Sequence, residues 1–67
     1  MLSTYLKMAV ADLRSVRPTA ADQRRNPDID LMQLWRDDIE HTICCQRLSA
    51  ELADEFRNAV QDDGAHA

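Results

Sequence analysis

His41, Cys44 and Cys45 are the residues whose types and spacing come nearest to a metal site. Imidazole nitrogen and thiolate sulfur are both zinc ligands, and on a helix His41 and Cys45 share one face at i,i+4 spacing. One chain then offers two ligands where structural zinc takes four, so a two-fold dimer would have to bring two such pairs together. A plainer reading takes precedence. In it Cys45 packs as a small apolar residue, Cys44 sits at its edge, and His41 pairs with Asp37 or Asp38. His66 lies in the C-terminal tail. No metal or other cofactor is expected.

Carboxylates come in groups: Asp37, Asp38 and Glu40; Glu51, Asp54 and Glu55; Asp62 and Asp63. General acid–base work needs such groups in a sheltered pocket that shifts their pKa, and a short helical chain has no room for one. They read as a solvated acidic surface with i,i+4 partners, Arg36–Glu40 and Arg47–Glu51. Gly64 is the only glycine, so no glycine-rich loop can cradle a phosphate. A nucleophile activated by His41 or His66 would have no scaffold for an oxyanion hole. The chain is not expected to be an enzyme.

Arg14, Arg17, Arg24 and Arg25 could meet phosphates. They lack interleaved aromatics and sit in an acidic chain, and the helix that follows them is acidic where a recognition helix would be basic. They read first as a solvated or internally paired linker, with nucleic-acid binding as an alternative. Trp35, the one tryptophan, reads as core or as an interface anchor.

The elements that must position these residues are helical. Leu2, Leu6, Ala9, Leu13 and Val16 form a narrow heptad seam, which predicts a helix over about residues 2–17. Ser3 or Thr4 can cap its start, and Pro18 ends it by disfavouring helical geometry at Arg17. Residues 18–26 form a polar connector in which Thr19 and Asp22 have capping-box spacing. A second helix is expected from about residue 27 to 63, with Asn26 as N-cap and Pro27 at the first helical position.

Along that second helix the apolar stripe changes face. Met32, Trp35, Ile39 and Ile43 lie on one band, while Leu48, Leu52, Phe56 and Ala59 lie on another. The offset is about 135° at 100° per residue. Leu34 and Cys45 share the second band. Either one long, kinked helix buries two faces, or the helix splits near residues 48–49. In a split, Ser49 caps a new helix and Leu48 staples to Ala53. No Gly or Pro interrupts residues 44–48, which favours the continuous helix. Gly64 then stops it, and residues 64–67 form a frayed tail.

The chain has 67 residues, 45% apolar and 30% charged, with a net charge of −4. One Gly and two Pro are too few for a turn-rich β fold, so the fold class is all-α, a helical hairpin in a single domain over residues 1–67. A core of this size is marginal alone, and the seam on the second helix is wider than one short helix covers. That predicts a homodimeric helical bundle whose interface uses Leu31, Met32, Trp35, Ile39, Ile43, Leu48, Leu52 and Phe56.

Charge is unevenly placed. Residues 1–27 carry five basic and two acidic side chains, and the rest carry three basic and ten acidic ones. No membrane span or secretory signal is visible, and adjacent cysteines suit a reducing cytoplasm. The expected function is that of a small non-enzymatic regulator or inhibitor that occupies a site on a larger protein. One concrete version is a phage-type antagonist blocking a nucleic-acid-handling machine. A secretion chaperone or an antitoxin would look the same.

Overall fold

The computed structural model describes residues 1–62, all of whose regular elements are helices. Helix α1 spans Thr4–Ser15, α2 Ala20–Arg25, α3 Leu31–Cys45 and α4 Ala50–Gln61. The architecture is all-α, a helical hairpin in which α1 faces a second arm built from α3 and α4.

Each boundary has a local cause. The Ser3 hydroxyl accepts the Leu6 N–H at 3.2 Å and starts α1. Ahead of Pro18 the helix closes with tight bonds, Val16 N–H to Leu13 O and Arg17 N–H to Arg14 O, both 3.3 Å. The connector holds α2, opened by a complete capping box: Asp22 N–H to the Thr19 hydroxyl at 3.1 Å and Thr19 N–H to the Asp22 carboxylate at 3.0 Å.

The second arm begins later than the sequence suggests. Asp30, not Asn26, caps α3, accepting the Gln33 N–H at 3.1 Å. Asn26 ends α2 instead, its side-chain amide donating to Asp22 O at 3.1 Å. The decision falls to Gln23. Its amide donates to Asn26 O at 2.8 Å and Ile29 O at 2.6 Å, and its oxygen accepts the Leu31 N–H at 3.1 Å. One side chain thus satisfies three backbone groups of the turn between α2 and α3.

The continuous second helix does not form. The chain breaks after Cys45, where Arg47 takes the left-handed conformation with φ 52°. Arg47 N–H bonds Cys44 O at 3.1 Å and Leu48 N–H bonds Ile43 O at 3.3 Å. These are the paired bonds of a Schellman motif, which satisfies the last carbonyls of α3 without a glycine. Ser49 then caps α4, its hydroxyl accepting the Leu52 N–H at 3.2 Å. The split near residues 48–49 is therefore the arrangement adopted. Helix α4 ends at Gln61, and the expected stop at Gly64 and the tail over residues 64–67 lie outside the described residues.

The break reorients α4 so that both apolar bands meet one core. Leu6, Trp35, Ile39, Ile43, Ala53, Phe56 and Val60 are buried, with Leu2, Ala9, Val10, Leu13, Met32 and Leu48 packed around them. Ile39, Phe56 and Val60 are less than 2% exposed. Leu34 and Cys45, which a continuous helix would have placed on the second buried band, stay on the surface.

Candidate functional site

Four of the expected interface residues, Trp35, Ile39, Ile43 and Phe56, are core residues of the single chain. Leu31, Met32, Leu48 and Leu52 are half-buried. The turn at 46–49 lets α3 and α4 shield each other as well as α1.

Trp35 shows how the arms lock. Its indole N–H donates to Leu13 O at 2.8 Å, using a carbonyl in the last turn of α1 that no i+4 amide takes. The Arg17 guanidinium lies 5.2 Å from the ring centroid, within cation–π range. Arg14 donates to Ala59 O at 2.9 Å and so supplies a basic group to the last turn of α4, which has none of its own. Arg25 pairs with Asp22. All four arginines considered for phosphate contact are exposed, and three of them, Arg14, Arg17 and Arg25, also have partners within the chain.

The acidic residues divide in the same way. Arg57 grips Glu40 with two bonds, Nε to Oε2 at 2.6 Å and Nη2 to Oε1 at 2.9 Å, and reaches Asp54 at 2.9 Å. This pairing ties α3 to α4 and holds the Glu40 carboxyl below its ordinary range, chiefly through the Arg57 hydrogen bonds. The same contacts raise the Arg57 pKa. Asp22 is also lowered, first by the Thr19 backbone N–H. Glu55 meets the Met1 amino group at 3.1 Å.

Two expected helix pairs are replaced. Arg36 bonds Gln33 at 3.4 Å rather than Glu40, because Glu40 is taken by Arg57. Arg47 sits in the turn and has no helical register with Glu51.

What remains open on α3 is a surface of mixed chemistry. Leu34 is 52% exposed, with Asp37 and Asp38 one turn further on. Asp37 accepts from the Gln33 amide at 2.9 Å, while Asp38 and Glu51 are exposed. One more turn along the same face, His41 meets Cys45, Nε2 to Sγ at 3.3 Å. His41 therefore pairs with Cys45 and not with Asp37 or Asp38, and Cys45 is exposed instead of packed. The i,i+4 geometry of one helix is enough to bring these two side chains together.

Compared with protein-family models, curated proteins and solved structures, the chain matches none. Among the described residues, no helix is long and apolar enough to cross a membrane.

Proposed function

We propose that this chain is a small non-enzymatic regulator or inhibitor that acts by binding a larger, basic protein through the outer face of α3. Leu34 carries the reading: an exposed leucine flanked by the carboxylates of Asp37 and Asp38. An apolar contact ringed by one sign of charge suits a partner with the opposite charge, which steers association and sets register. The acidic balance of the chain, −4 overall, supports a basic partner. A nucleic-acid-handling protein whose phosphate-binding site is blocked is the concrete version. The engaged state of Arg14, Arg17 and Arg25 favours this over direct phosphate binding by the chain itself.

The test is affinity capture from host-cell extract, in parallel with the wild type and with a Leu34→Arg, Asp38→Arg variant. Both positions are exposed, so the variant keeps its core. The wild type should retain a basic protein that salt releases and the variant does not hold. Equal retention by both chains, or retention that nuclease abolishes, overturns the reading.

A further inference from the structure

Exposed apolar side chains of α1 and α3 fall on the same side of the molecule, and four contacts fix how the helices lie. Trp35 donates to Leu13 O at 2.8 Å and the Gln46 amide donates to the Tyr5 hydroxyl at 3.3 Å, so α1 and α3 run antiparallel along one seam. Arg14 bonds Ala59 O on α4, and Glu40 is held by Arg57 of α4. Helix α4 therefore lies against the Arg14 flank of α1 and the Glu40 flank of α3. At 100° per residue, Tyr5, Met8, Asp12 and Val16 lie within about 80° of one another and at least about 120° from Arg14. On α3, Leu34 and Asp38 lie within about 40° of each other and at least about 120° from Glu40. Both sets face away from α4 and border the groove between α1 and α3.

That groove is apolar with an acidic rim. Tyr5, Met8 and Val16 are each more than 60% exposed, and Leu34 is 52% exposed. The antiparallel register sets Asp12 level with Asp38, and both are exposed. No Lys or Arg shares the phase of either set. From Tyr5 to Val16 the groove runs roughly 16 Å at about 1.5 Å per residue, the length of three helical turns. A second copy of this chain is a poor occupant, because a two-fold contact through the same groove would set Asp12 and Asp38 against their own kind.

We propose that the groove between α1 and α3 takes an amphipathic helix of about three turns from the partner protein. Its apolar face enters between Met8 and Leu34, and Lys or Arg along its edges meets Asp12 and Asp38. The proposal rests on the binding reading above for Leu34 and Asp38, and it extends the contact to α1 and names the element bound.

Nuclear magnetic resonance of the isotope-labelled protein with three synthetic peptides tests this. The first is a three-turn helix with Leu at i, i+3, i+4 and i+7 and Lys elsewhere, the second has the same residues in scrambled order, and the third has Glu in place of Lys. Only the first should bind saturably, shifting the amides of Tyr5, Met8, Leu34 and Asp38 and sparing α4. Met8→Arg, at an exposed position, should keep the helical circular dichroism and weaken that binding about tenfold or more. Absence of saturable binding, equal binding of the scrambled peptide, shifts confined to α4, or full affinity of Met8→Arg would each overturn the proposal. So would dimers in sedimentation that Met8→Arg disperses, because a second copy would then be the occupant. In the capture from extract, Met8→Arg should lose the basic protein as the Leu34→Arg, Asp38→Arg variant does. Retention by Met8→Arg alone overturns the groove and leaves the α3 reading standing, whereas retention by both variants overturns both.

Discussion

At the residue scale, a few charged side chains serve as connectors between helices. Arg14 completes the end of α4, Arg17 covers the Trp35 ring, and Arg57 joins Glu40 on α3 to Asp54 on α4. The Glu40–Arg57 pair makes stability depend on pH in a definite direction. The folded-state pKa of Glu40 lies below the ordinary 4.5 because the Arg57 hydrogen bonds favour the charged form. The unfolded chain therefore binds its proton first as pH falls. The contribution is complete above pH 4.5 and is lost as pH drops from there through the lowered folded value. Urea unfolding of the wild type and of Glu40→Gln across acidic pH should show the wild type more stable at neutral pH. The gap should close as the pH falls below about 4.5. A gap that stays constant with pH would mean that Glu40 contributes through packing and not through its charge.

At the element scale, the fold turns on residues 46–49. Arg47 occupies a position where a side chain crowds the following carbonyl, at a cost of about 1–2 kcal/mol, and where glycine meets no such cost. Arg47→Gly keeps both Schellman hydrogen bonds and removes that crowding, against some added freedom in the unfolded chain. It should stabilise the protein by about 0.5–1 kcal/mol, raising the melting temperature by a few degrees in a domain of this size. A lower melting temperature would mean that the turn does not form and that α3 runs on into α4.

This turn also marks where the sequence is hard to read. The two bands of apolar residues, the Thr19–Asp22 capping box and the helix end before Pro18 follow from local chemistry and are legible directly. The break is not, because the residue in the left-handed position is an arginine and the usual glycine signal is missing. The offset between the Ile43 and Leu48 bands and the capping serine at 49 were its available signs. The late start of α3 is hidden for a different reason. Asn26 and Asp30 are equally good caps, and the choice is made by three hydrogen bonds from Gln23, whose reach across the turn has no sequence periodicity. The His41–Cys45 contact was legible in its i,i+4 spacing, whereas the exposure of Leu34 and Cys45 was not, because the sequence pattern put both on an apolar band.

At the scale of the whole molecule, the question is whether the apolar seam serves a second chain or the first. Within the single chain Phe56 is already fully buried between the arms, although it belongs to the band that a continuous helix would have left uncovered. Removing a buried phenyl ring in favour of alanine costs about 3–5 kcal/mol, through lost transfer energy and the cavity left behind. A single core in a chain this short supplies rarely more than about 3–5 kcal/mol in total. Phe56→Ala should therefore abolish the cooperative unfolding transition and most of the helical circular dichroism signal at 25 °C, at any protein concentration. Leu34→Ala, on the exposed face, should leave both unchanged. If Phe56 instead belonged to a contact between folded subunits, the variant would remain helical and change only its sedimentation, because each chain would keep a core of its own.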